Sequence, residues 1–350
     1  MLFQLYGSTA MTQLLGWVLV FAGLVILNEI GRRTKIGGIV LFVIIPAILT
    51  IYFIAIQAGL FGGHSNQTYE YMNGWFHYAK LYAADIGVVG FLMIKYKWGI
   101  GKKEWFKPWP FIIVAINILI AVASDFESAI RAYQITGDFS GAWWASNEGV
   151  FLYGGWWNIV NGIAGLINIF CMTGWWGIYS SKKKDDMLWP DMTIWFIVAY
   201  DIWNFEYTYC NLPTHTWYCG VALLLAPTFA NALWNKGGWI QNRANTLAIW
   251  CMFAQVVPLF QVDGIFATLP VLYKYTGAKS GMELTHYTLE QMNAAGAYPV
   301  AQGVMAILAV VANVICISVI IKRAIEQKKN PYKNEIFAGT RDFEQAMDRA

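Results

Sequence analysis

Charge is what this chain has least of. Only 13% of its residues are Asp, Glu, Lys or Arg, about half the share found in soluble domains. So few charges cannot coat a soluble surface. Histidine is limited to four residues and cysteine to five, with no Cys-x-x-Cys pair. That excludes a disulfide scaffold and a zinc ribbon. The phosphate-binding glycine loop, the Gly-x-Ser-x-Gly elbow and the dinucleotide fingerprint are all absent. No basic block reads as a nucleic-acid patch, so neither a cofactor nor a nucleic-acid partner is expected. No two histidines share a span, so no metal site is expected either.

What the chain has in excess is apolar sequence. Hydrophobic residues make up 57% and aromatics 17%, and mean hydropathy is +0.44. The apolar runs are long, roughly 18–24 residues, enough to cross a hydrocarbon core of about 30 Å. They predict an all-α, polytopic transmembrane bundle of nine spans, near 9–28, 38–58, 76–95, 108–125, 155–179, 189–209, 215–234, 244–264 and 298–321. Residues 1–321 read as one membrane domain with two long outer segments, 126–154 and 265–297. Residues 322–350 read as a charged cytoplasmic tail. No basic stretch precedes the first run, so it is expected to be retained rather than cleaved as a signal.

The charges that exist are ordered. All but four of the 24 Lys and Arg residues fall in alternate connections on one side of this nine-span scheme. The exceptions are Lys80, Arg131, Lys274 and Lys279. By the positive-inside rule the N-terminus is outside and the C-terminus cytoplasmic, as for a protein of the bacterial plasma (inner) membrane. Paired tryptophans such as Trp143–Trp144, Trp156–Trp157 and Trp175–Trp176 are expected in interfacial belts.

Two aspartates break the apolar pattern. Asp85 and Asp201 lie about ten and twelve residues into their predicted spans, near the midplane at about 1.5 Å of rise per residue. A carboxylate there costs about 2.5–3.5 kcal/mol on insertion scales, so such residues face an interior and bind or relay charge. Around them the helical spacing collects His77, Asn158, Asn161 and Asn204 as candidate substrate or ion ligands, and Glu206, turned away from the Asp201 face, and His215 are further candidates toward the outer side. Asn and Gln in spans also serve as interhelical glue at about 0.6–2 kcal/mol each. The expectation is a vestibule open to the outside and closing near Asp85 and Asp201, above a plainer inner half.

The leading functional expectation is a secondary transporter or permease. It would carry a small polar or cationic solute, with proton or cation coupling at the midplane carboxylates, in a shell of membrane lipids. Two other classes compete. One is a membrane enzyme whose outer site uses Asp201, Glu206 and His215. The other is a non-catalytic subunit or receptor.

Overall fold

The computed structural model describes residues 2–5, 9–72, 74–147, 150–254, 256, 265–266, 268–274 and 287–350. Gln255, Pro258, Gln261, Asp263 and His286, noted in the sequence as polar, kinking or titratable positions, lie outside the described residues. The fold is all-α. Its principal helices are α1 (Ala10–Arg33), α2 (Lys35–Gln57), α3 (Trp75–Tyr96), α4 (Trp109–Thr136), α5 (Trp156–Phe170), α6 (Ile194–Asn211), α7 (Trp217–Leu233), α8 (Trp239–Ala254), α9 (Val300–Gln327) and the short α10 (Arg341–Met347).

Four of the helical segments, through α1, α2, α4 and α9, are long and apolar enough to cross a membrane. On α1 and α9 the residues Leu15, Val18, Leu19, Val304, Ile307, Leu308 and Val311 are exposed on the protein surface. An apolar face of that extent needs a nonaqueous cover, which lipid supplies.

Local chemistry explains the breaks. Thr34 ends α1 in an extended conformation, and its Oγ1 accepts from the Gly37 N–H at 3.0 Å to cap α2. Within α2 a π-turn over Val40–Ile44 precedes Pro46. A widened ladder absorbs the N–H that proline lacks. The same pairing recurs in α7, where a π-turn over Trp217–Ala222 precedes Pro227. Gly137 closes α4 at φ 78°, a left-handed cap that glycine adopts without a Cβ penalty.

Two boundaries differ from the sequence reading. The predicted span 108–125 is too short: α4 continues to Thr136, because its last turns pack against the hairpin β1 (Ala142–Ala145) with β2 (Phe151–Gly154). The predicted span 155–179 is too long: α5 stops at Phe170. The chain from 171 to 193 forms a connection with a ladder of β3 (Tyr179–Ser180) on β4 (Met187–Leu188). The tryptophan belt is also corrected. Trp143 and Trp157 are fully buried, Trp143 against Tyr153 and Tyr273 at ring separations of 5.0 Å. Trp175 stacks on Phe111 at 3.8 Å. Trp156 and Trp176 are exposed, as belt residues would be.

The apolar core has two main parts. One is built chiefly by α4, α5, α6, α9 and the C-terminal residues Ile336, Phe337 and Phe343. The other is built by α1, α2, α3, α7 and α8. The tail is therefore not a free extension. Asp191 Oδ1 and Oδ2 accept from the backbone N–H groups of Phe337 and Ile336 at 2.9 and 3.2 Å, and this holds the tail across the end of the bundle where the lysines cluster. That end is called the basic end below, and the opposite one the acidic end.

Candidate functional site: a polar seam between two helix groups

Where the two helix groups meet, the interior is polar. At the acidic end of this seam a cleft of about 60 Å³ is lined by Phe76, His77, Ser124, Trp144, Asn211 and His215, among others. The turn after α6 brings His215 here, and the first turns of α3 supply Phe76 and His77. His215 is 5% exposed, and its Nδ1 lies 3.3 Å from the Thr214 hydroxyl.

Beside the cleft sits a fully buried carboxylate. Asp125 accepts from the side-chain amides of Asn158 (3.1 Å), Asn161 (2.8 Å) and Asn211 (2.6 Å). Asn158 and Asn161 are one turn apart on α5, so their side chains project together. Asn211 closes α6, and its Oδ1 accepts from Ser128 at 2.7 Å. This centre joins α4, α5 and α6. The sequence reading placed Asp125 at the end of a span. The i, i+3 spacing of Asn158 and Asn161 was a signal that they share a face, but not that this face meets Asp125.

Deeper in the seam stands Lys80. Its Nζ donates to the Asn117 carbonyl at 2.7 Å and lies 5.8 and 5.5 Å from the ring centres of Phe76 and Tyr207. Phe76 lines the cleft, whereas Asn117 lines a second, smaller chamber of about 30 Å³. Lys80 thus lies between the two spaces. The chamber is a partly open space walled by residues of α3, α4, α6 and α8, and Arg243 lines it.

Arg243 was assigned from sequence to a basic connection. The structure corrects this: it lies inside α8 at 6% exposure. Its Nη2 donates to Asn204 Oδ1 at 3.2 Å, and the Tyr200 ring centre is 5.7 Å from the guanidinium carbon. Lys95 is corrected likewise. It is fully buried in α3 and donates to the Arg32 carbonyl at 2.7 Å. Nor is the basic half plain. Asn28, Asn235, Asn242 and Asn245 form a buried amide chain with separations of 2.8–3.1 Å. Helical periodicity cannot reveal such residues, because a short basic loop and a buried basic helix start look alike in sequence.

The eight residues singled out from sequence are divided among several environments. His77 and His215 line the cleft; Asn158 and Asn161 hold Asp125; Asn204 meets Arg243. Asp201 accepts from Thr228 Oγ1 at 2.8 Å, and Thr228 in turn accepts from Trp239 Nε1 at 2.9 Å. Glu206 is fully buried and accepts from the Cys210 thiol at 3.0 Å. Cys210 and Cys219 are both free thiols. Asp85 is 4% exposed, ten residues into α3, and neither of its oxygens is hydrogen-bonded. Asp85 and Asp201 therefore do not close a single vestibule. Asp201, Glu206 and His215 also bond to three different partners rather than to one another.

The basic end is sealed by charge. Arg32 Nη1 donates to both oxygens of Asp186 at 3.0 Å, and Glu29 accepts from Arg32 Nε at 2.6 Å. Arg349, at the tail's end, also binds Asp186 and donates to Asn235 Oδ1 at 2.5 Å.

Comparison with known proteins identifies the lineage. Residues 7–349 match the model of a family described as a family of unknown function (DUF5692), and the chain belongs to that family. No curated protein and no solved structure matches it.

Proposed function

We propose that this protein is a secondary transporter or permease for a small polar solute, with the seam as its pathway. The observation that carries this reading is the order of spaces along the seam: a cleft at the acidic end, Lys80 behind it, and a chamber beyond. Ionisable side chains in a bilayer interior are costly and mark pathways for ions or substrates. A pathway between two groups of helices is the arrangement that lets one group rock against the other.

In this reading all nine segments cross a bacterial plasma membrane, the N-terminus is outside, and the sealed basic end faces the cytoplasm. The cleft is then the outward entrance. Asp85 and Asp201, neither in an ion pair among the described residues, hold the coupling proton or cation. Lys80 and Arg243 move the expected solute away from a purely cationic class, because a cation would be repelled by both.

The test does not require the substrate. A cysteine at Ala244, in the chamber wall, should react with a membrane-impermeant thiol reagent from either face of sealed vesicles. The five native cysteines are buried, and the unsubstituted protein supplies the background. If residue 244 reacts from neither face while Ser124→Cys in the cleft does react, the seam is a closed pocket and the carrier reading fails. Asp85→Asn and Asp201→Asn keep side-chain shape and remove charge, so each should reduce flux of an identified solute more than it reduces expression.

A further inference from the structure

We propose that the seam chamber is a binding site for a small aliphatic carboxylate, gripped by the guanidinium of Arg243. This rests on the carrier reading above and names the class of solute carried. A guanidinium has five N–H donors in a planar fork. In Arg243, Nη2 reaches Asn204, while Nε and Nη1 have no hydrogen-bond partner although they are buried. Leaving buried charged donors unmet is costly, because their desolvation is not repaid. Arg243 lines a cavity, so the unmet donors border open space rather than packed side chains.

The chamber's shape selects the ligand. Its volume of about 30 Å³ accommodates about two water-sized groups, the scale of a carboxylate head and one or two carbons. Apart from Arg243 and Asn117, its wall is mainly apolar, including Ala84, Gly87, Ile113 and Leu247. An inorganic oxyanion would turn solvated oxygens toward that wall, whereas a short alkyl group suits it. Nε and Nη1 flank Nη2, so either of them together with the second N–H of Nη2 presents the two parallel donors that match the oxygens of a carboxylate, the pairing that arginine makes and lysine cannot. Lys80 adds a second positive charge on the side toward the cleft, through its contact with the Asn117 carbonyl. A carboxylate entering from the cleft would therefore pass one cation on its way to the other.

Acetate is the probe. Calorimetry on the full-length protein in detergent should show saturable acetate binding and none for methylammonium. Arg243→Gln should weaken acetate binding by about tenfold or more, because a bond to a charged group is lost. Arg243→Lys, which keeps the charge but not the fork, should also weaken it. Ala244→Leu, which fills the chamber with Arg243 intact, should block it, and so guards against a folding defect in the arginine variants. Lys182→Gln, on the surface, should bind like the parent. No saturable binding by the parent protein, or unchanged binding by Arg243→Gln, overturns the proposal. The accessibility of residue 244 decides transport separately. Labelling from both faces without acetate binding removes only the carboxylate, and acetate binding without such labelling removes only the carrier.

Discussion

Replacing Asp125 should undo the hydrogen-bonded centre that joins α4, α5 and α6. Three amides converge on its carboxylate at 2.6–3.1 Å, and all are buried. Asp125→Ala removes the shared acceptor. Asn211 keeps a second partner, the Tyr207 carbonyl at 3.1 Å. Asn158 and Asn161 would each be left with an unmet donor. An unmet buried donor costs about 1–3 kcal/mol, so two cost roughly 2–6 kcal/mol. Interhelical hydrogen bonds in membranes average only about 0.6 kcal/mol, which places the expected loss near the lower end, about 2–3 kcal/mol. Asp125→Asn retains one acceptor oxygen but turns an amide donor toward other donors, and should cost about 1–2 kcal/mol. Unfolding in mixed micelles, followed by tryptophan fluorescence, measures these losses. A cycle with Asn158→Ala isolates the coupling, since residues sharing a network are not additive. If Asp125→Ala unfolds within about 0.5 kcal/mol of the parent, the typical spread for a neutral substitution, the network does not hold the three helices together.

Other consequences concern the two ends and the hairpin. Asp186→Ala removes the carboxylate shared by Arg32 and Arg349, which keep Glu29 and Asn235 as partners, so the loss should be about 1.5–3 kcal/mol, the range for hydrogen bonds to a charged group; the tail should become cleavable by trypsin, and a tail that stays resistant refutes the latch. Phe337→Ala should loosen the same segment by about 3–5 kcal/mol, the usual cost of emptying a buried aromatic position, with faster amide exchange over residues 330–350 as the readout. In the nine-span topology, Ser140→Cys reacts with an impermeant reagent from outside and Lys184→Cys only after the vesicles are opened; the reverse pattern defeats the orientation. Gly154 lies so close to the Ser128 carbonyl that a Cβ would collide with backbone. Gly154→Ala should therefore shift β2 away from α4 and lower thermal stability, and an unchanged melting curve would show that the hairpin is free to move.

The amino-acid sequence by itself determined the class of this protein, because a membrane imposes its demands locally. Length and apolarity mark the helices of α1, α2 and α9 from neighbouring residues alone, and no distant contact is needed to read them. The rarity of charge likewise made Asp85 and Asp201 visible; Asp85 is buried near the middle of its helix, and Asp201 is half-buried with its Oδ1 enclosed. Partnership was a different matter. Asp125 belongs with Asn158, Asn161 and Asn211, and Arg243 with Asn204, across separations of 33 to 86 residues. Helix periodicity states which residues share a face, but not which helix that face meets. The burial of Arg243 inside α8, the continuation of α4 beyond Asp125 and the docking of Phe337 were decided by packing. In each, the free energy comes from groups distant in sequence that lose water together, and only the assembled bundle brings them within reach.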